Sequence, residues 1–220
     1  MNCSFTSPQY DRGDLIVYWL KIESGDSEKV AYSFYHGREQ RDKVHTDFQN
    51  RTRALWHGHH LGDCSLIVKR ITVWDAGMYR VYVKTGPEYR ERESRLQVAA
   101  PYTRPVLALT TECSRNDSIV HWFTCVVSGG YPEADVQWWT ELGENLSAHA
   151  HTQSRTDKDG LFRISSELAV THTSGQRYVC TVINPLLQHQ LNSSKTLPGI
   201  YPEGDSETQG QHRALPGTGT

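Results

Sequence analysis

The sequence predicts an all-β chain, two tandem β-sandwiches followed by a disordered tail, and three observations predict it. Short apolar runs separated by polar turns recur along most of the 220 residues, with no long helical periodicity. A cysteine–tryptophan–tyrosine–cysteine frame in the second half has the spacing of two facing sheets bridged through their core. A looser copy of the same plan occupies the first half.

The elements follow in order. Leu15–Leu20 is an apolar, β-branched and aromatic run after the turn-like Asp11-Arg12-Gly13-Asp14, and Val30–Tyr35 is a second run. Ser65–Val73 alternates as a strand up to Asp75-Ala76-Gly77, Tyr79–Val83 follows, and Arg95–Ala99 closes the unit. Pro101 and Pro105 hold the next connection extended, because proline cannot donate to a ladder. The second unit then offers Val106–Leu109, Ile119–Val127, Asp135–Trp139, Leu161–Val170 and Tyr178–Ile183. Expected boundaries are therefore 1–100, 101–198 and a tail of 199–220. That tail, rich in Gly, Pro, Ser, Thr and Gln, buries too little to offset its ordering entropy.

The second unit carries the strongest signal. Trp138 follows Cys125 by thirteen residues, and Cys180 comes fifty-five after Cys125 with Tyr178 two positions before it. This is the order and spacing of an immunoglobulin domain. A bridge between strands B and F ties the sheets, the strand-C indole packs on the sulfurs, and the tyrosine hydroxyl bonds the E–F corner. Closing a loop of this size stabilises by about 4 kcal/mol. The expected fold class is thus two immunoglobulin-like sandwiches, variable-type then constant-type.

The first unit repeats the frame with a defect. Cys3 is the strand-B cysteine and Trp19 the strand-C tryptophan, while Leu66, Val68, Ile71, Asp75, Gly77 and Tyr79 fit the variable-type E–F signature. Val81 stands where the strand-F cysteine belongs. Trp19, Tyr79, Val81, Trp138 and Tyr178 are the expected core residues. Cys3 and Cys64 keep two readings. They bridge within one sheet, since Cys64 shares the inward parity of Leu66 and strand E neighbours strand B, or they pack as free buried thiols. Cys113 lies in a polar stretch as an odd thiol. With two residues before Cys3, the first unit is expected to lack the strand before strand B and to expose an edge.

Composition excludes several classes. Net charge is −2, so no basic excess exists to neutralise nucleic-acid phosphates or an anionic membrane. None of the five cysteines forms a Cys-x-x-Cys pair, and there is no phosphate-binding glycine loop or Gly-x-Ser-x-Gly elbow. His57, His59 and His60 with Asp63 lack metal-ligand spacing and read as a polar loop. No catalysis, metal, cofactor or small-molecule substrate is expected. Sequons at Asn2, Asn50, Asn116, Asn145 and Asn192 favour a secretory-pathway glycoprotein in an oxidising compartment. With neither a signal-peptide pattern in residues 1–20 nor about 20 consecutive apolar residues, such a chain is expected to be a fragment or incomplete gene product.

The chain resembles the B-seven family of T-cell costimulatory and coinhibitory ligands. The resembling stretches are 2–5 (NCSF), 37–40 (GREQ), 50–52 (NRT), 96–102 (LQVAAPY), 130–136 (GYPEADV), 160–162 (GLF) and 184–188 (NPLLQ). The resemblance implies a cell-surface immune ligand on the extracellular side of the plasma membrane, with a single-span anchor. It would bind a lymphocyte receptor through the front sheet of its variable-type domain and modulate T-cell activation. Alternation from the inward Trp19 and Val81 puts Tyr18, Leu20, Arg80, Tyr82 and Lys84 on that face, with Tyr32 and Phe34 added from strand C′. The F–G loop, residues 85–90, is a second candidate contact. The competing reading on the same fold is a homophilic or heterophilic adhesion protein.

Overall fold

The apolar positions of each run recur at every second residue, and that period places them on one face of a strand. The computed structural model describes residues 1–6, 13–25, 27–55, 61–113, 119–171 and 175–198. The 199–220 tail lies outside them. In the N-terminal sandwich a five-stranded sheet runs β4 (Arg38–Glu39), β3 (Glu28–Tyr35), β2 (Ile16–Ile22), β8 (Gly77–Thr85), β9 (Glu88–Leu96). Facing it are two short pairs, β1 (Ser4–Thr6) with β6 (Leu61–Asp63), and β5 (Thr52–Ala54) with β7 (Leu66–Val68). The core between them holds Leu15, Val17, Trp19, Phe34, Phe48, Leu66, Tyr79 and Val81.

In the C-terminal sandwich one sheet runs β10 (Val106–Cys113), β11 (Ile119–Gly130), β14 (Phe162–Val170), β13 (Ala150–Thr156). The other runs β12 (Asp135–Thr140), β15 (Arg177–Asn184), β16 (His189–Thr196). Cys125 of β11 is bonded to Cys180 of β15, with Cα atoms 6.4 Å apart, and Trp138 pairs directly with Cys180. Phe123, Trp138, Ile164, Leu168, Tyr178 and Val182 fill the space around the sulfurs.

The N-terminal sandwich bonds Cys3 to Cys64, on adjacent segments of one layer that continue the pairing of β1 with β6. Among the described residues no bridge crosses this core. Instead the Trp19 indole Nε1, from the front sheet, donates to the Cys64 carbonyl at 2.8 Å. The Cys3 N–H, which that carbonyl would otherwise take, donates to Ser65 Oγ at 3.0 Å. Trp138 does the equivalent in the other sandwich, donating to Ser166 Oγ of β14 at 2.9 Å. Both indoles are fully buried and both reach the opposite layer. Val81 faces Trp19 across β2 and β8 and is buried at the position of the missing cysteine.

A three-residue 3-10 turn, Val73–Asp75, caps the bottom of this sandwich with a Thr72–Asp75 capping box. Arg51 grips Asp75 through both Nη atoms, at 3.2 Å and 2.5 Å. The Tyr79 hydroxyl donates to the Asp75 carbonyl at 2.8 Å, and burial, aided by the Asp75 charge, raises its pKa above the usual phenol range. Residues 65–73, expected as one strand, therefore form a strand only at Leu66–Val68, and Val73 belongs to the turn.

The expected outward direction of Tyr32 and Phe34 is overturned. They are 2% and 1% exposed. Trp19 pairs with Tyr32 but Leu20 pairs with Val30, so Ala31 is an extra residue on β3. A bulge of one residue reverses the parity on either side of it. Tyr32 and Phe34 thus share the inward face with Trp19 and Val17.

The connection between the sandwiches is sewn to the second one. Ala100 and Tyr131 exchange backbone bonds of 2.9 and 3.0 Å, and the buried Asn184 Nδ2 donates to both of their carbonyls. Tyr102 sinks into the C-terminal core, its hydroxyl donating to the Pro132 carbonyl and accepting from the Ala134 N–H. Gly130 is obligatory beneath that ring, since a Cβ there would stand 2.2 Å from Tyr102 Cδ2. Gly160, at φ +76°, lies against the Val73–Asp75 turn: a Cβ would stand 2.4 Å from Val73 Cγ2 and 3.0 Å from Trp74 Cζ2. Buried Lys21 holds that turn from the other side, donating to the Trp74 carbonyl and to Glu23 Oε1, each at 2.8 Å.

Candidate functional site

The outer face of β3, β2, β8 and β9 is the candidate site. Register fixes who stands beside whom: Ser33, Tyr18, Tyr82 and Glu91 form one row across the four strands. Leu20, Arg80 and Glu93 form the row below, and Ile16, Lys84 and Tyr89 the row above. Tyr35 follows Ser33 by two residues and completes the aromatic set. Tyr18 and Tyr35 have ring centroids 6.2 Å apart, Tyr82 and Tyr89 5.9 Å. A band of four tyrosines therefore crosses the sheet. Tyr18, Tyr35 and Tyr82 are half-buried by their neighbours, and Tyr89 at the edge is 57% exposed.

Arg80 sits at the centre of the lower row. Its Nε contacts Glu91 Oε1 at 2.9 Å and Glu93 Oε1 at 3.1 Å. Nη1 reaches Glu28 Oε1 at 3.1 Å and the Tyr82 hydroxyl at 3.2 Å, and Nη2 reaches Glu93 Oε1 at 2.7 Å. The Tyr89 hydroxyl donates to Glu91 Oε2 at 2.9 Å. Desolvation first, then that bond to Glu91, pushes the Tyr89 phenol up to about 12. Side chains from β3, β8 and β9 thus hold one another in place.

Of the residues expected on this face, Tyr18, Leu20, Arg80, Tyr82 and Lys84 lie on it, whereas Tyr32 and Phe34 lie beneath it. Tyr35, Glu28, Glu91 and Glu93 belong to it without having been expected, and Tyr89, expected only as part of the 85–90 loop, belongs to it too. Residues 85–90 are not a loop: Thr85 pairs with Glu88, so only Gly86 and Pro87 turn, and Tyr89 is already in β9. The alternation of arginine and glutamate from Arg90 to Glu93 was the available signal, because it is the period of a strand with two different faces. Arg90 and Arg92, on the opposite side of β9, line an open groove of about 310 Å³ together with Cys3, Ser4, Val81, Val83 and Glu91.

Asn2, Asn50, Asn145 and Asn192 are exposed, and Asn116 lies outside the described residues. No sequon falls on β2, β3, β4, β8 or β9. Cys113 is exposed and unbonded at the end of β10. His57, His59 and His60 lie outside the described residues. Among the described residues no three His, Cys, Asp or Glu side chains converge as metal ligands, and no helix is long and apolar enough to cross a membrane.

A family model described as the Ig-C domain of butyrophilin subfamily 3 member A2-like proteins matches residues 107–192. The CD276 antigen homolog of Xenopus laevis is 28% identical over 200 residues, 90% of this chain. Human butyrophilin subfamily 2 member A2 is 25% identical over 195 residues, 89% of this chain. The chain spans 63% and 36% of the lengths of these two relatives. Among solved structures, bovine butyrophilin superposes with a TM-score of 0.75 at 21% identity, covering 90% of this chain and 92% of its own. A chain of the complex of ICOS with ICOS-L and an anti-ICOS-L VNAR domain superposes at 0.73 and 24% identity, covering 89% of this chain and 93% of its own. Two sandwiches of immunoglobulin fold in this order, with sequence similarity along most of the chain, make it similar to the CD276 homolog and the butyrophilins.

Proposed function

We propose that this chain is the extracellular part of a cell-surface immune ligand, binding a protein receptor on lymphocytes through the outer face of β2, β3, β8 and β9 and so modulating T-cell activation. The observation that carries the reading is the tyrosine band Tyr35–Tyr18–Tyr82–Tyr89, which lies on strands that hold no sequon. Tyrosine supplies large contact area at a low entropy cost, and it is enriched in interface hot spots. Glycans at Asn2, Asn50, Asn145 and Asn192 would cover other parts of the surface and leave this face bare. A face of this kind buries roughly 600–900 Å² per partner. The CD276 homolog and the butyrophilins supply the immune context, and the ICOS–ICOS-L complex contains a chain of the same fold.

Fluorescent tetramers of the chain test this on resting and activated lymphocytes. Wild-type tetramers stain activated cells, and Tyr82→Ala and Tyr89→Ala tetramers lose that staining while keeping the wild-type melting profile. Undiminished staining by both variants moves the site off this sheet. Strong self-association in sedimentation with no staining of any lymphocyte would instead favour homophilic adhesion.

A further inference from the structure

We infer that the partner presents a lysine or arginine side chain to the front-sheet face, received between the Tyr82–Tyr89 pair and the carboxylates of Glu28, Glu91 and Glu93. This rests on the front-sheet reading above and adds the chemistry of the partner.

Arg80 is the one cation within this cluster of described residues, and it has little left to offer. Four of its five N–H donors are engaged by Glu28, Glu91, Glu93 and Tyr82 at 2.7–3.2 Å, which leaves one on Nη2. An incoming carboxylate would find that single donor and be repelled by the three carboxylates around it. The carboxylates are in the opposite condition. Three surround one guanidinium, which leaves two negative charges in excess at the centre of the face. Each carboxylate has about four lone-pair sites. Among the described contacts, Glu28 and Glu93 use only Oε1, so each keeps an oxygen for a new donor.

The rings add the second half of the site. Arg80 Cζ already lies 6.0 Å from the Tyr82 centroid. Tyr89 is more than half exposed, so its ring is open to a second cation beside the Glu91 oxygen that its hydroxyl binds. The other cations of the face stand at its two ends. Lys84 is opposite Tyr89, and Arg95 is opposite Met78. The pattern along the face is therefore positive, negative, positive, and the complementary partner carries its cation centrally with acidic groups on either side.

A defined probe tests this without the receptor. Acetyl-arginine amide is titrated into chain carrying labelled tyrosine, with the acetyl-citrulline amide as the uncharged control. Tyr82 and Tyr89 ring signals shift with the arginine probe and at least about threefold less with citrulline. The Glu28→Gln/Glu91→Gln double variant keeps hydrogen-bond acceptors for Arg80 and suppresses the arginine response. Equal shifts from both probes, or an unchanged response in the double variant, overturn the inference. Tetramer staining separates the two levels. The double variant stains activated cells about tenfold more weakly if the partner is cationic. If Tyr82→Ala abolishes staining and the double variant does not, the cation is refuted and the front sheet stands. If neither variant matters, the front-sheet reading itself falls.

Discussion

Replacing Trp19 by Phe should destabilise the N-terminal sandwich more than replacing Trp138 by Phe destabilises the C-terminal one. Both indoles are fully buried, and each substitution leaves a similar void, which costs about 1–2 kcal/mol. The hydrogen bonds differ. Trp19 is the donor to the buried Cys64 carbonyl, and the ladder partner that could replace it, the Cys3 N–H, is already held by Ser65 Oγ. Phe therefore leaves that carbonyl bare, at about 1–3 kcal/mol. Trp138 donates to Ser166 Oγ, which also bonds Thr152 Oγ1 at 2.7 Å. Trp138→Phe leaves that hydroxyl partnered, so only a satisfied bond is lost, about 0.5–1.5 kcal/mol. Trp19→Phe then totals about 2–5 kcal/mol, a fall in the melting temperature of at least about 8 °C for a sandwich of this size. Calorimetry should show the two sandwiches as separate transitions, which Trp138→Phe and Trp19→Phe assign by shifting one each. A Trp19→Phe shift no larger than that of Trp138→Phe would refute the claim that this indole is what joins the two layers.

Other expectations follow from named contacts. Arg51→Ala leaves the buried Asp75 carboxylate with only its Thr72 partners and should cost about 3 kcal/mol, read as an early N-terminal transition in the same scans. Gly160→Ala places a Cβ on Val73 at a positive φ; residual dipolar couplings should change from one shared alignment tensor to two, with the shifts inside each sandwich preserved. A single tensor retained in that variant would show that the contact does not set the angle. Native alkylation should label one cysteine per chain, Cys113, with the other four released only by reductant and denaturant.

The C-terminal frame was legible because its four marker residues all point into one core, where each side chain has a single environment to satisfy. Strands β13 and β16 were not legible. Ala150–Thr156 and His189–Thr196 are edge strands whose side chains are mostly solvated, so they carry no apolar alternation. The front face was legible on β2 and β8, where parity runs unbroken from Trp19 and Val81. It failed on β3, because the extra residue at Ala31 reverses the faces and nothing in the run Val30–Phe34 marks the insertion. The surroundings of Arg80 were illegible for another reason. Glu28 stands 52 residues away in sequence, and only the pairing of β2 with both β3 and β8 brings them together.

The stitching of residues 100–103 to the C-terminal sandwich dictates how the molecule can be divided. Cutting at Pro105, where the prolines invite it, would strip Tyr102 from above Gly130 and leave the Asn184 amide facing one carbonyl where it now has two. A C-terminal half produced alone, or exchanged with that of a relative to make a chimera, keeps its interior intact only if the excision falls before Ala100. The short peptide that looks like a hinge between two bodies is, by its bonds, the first turn of thread in the second.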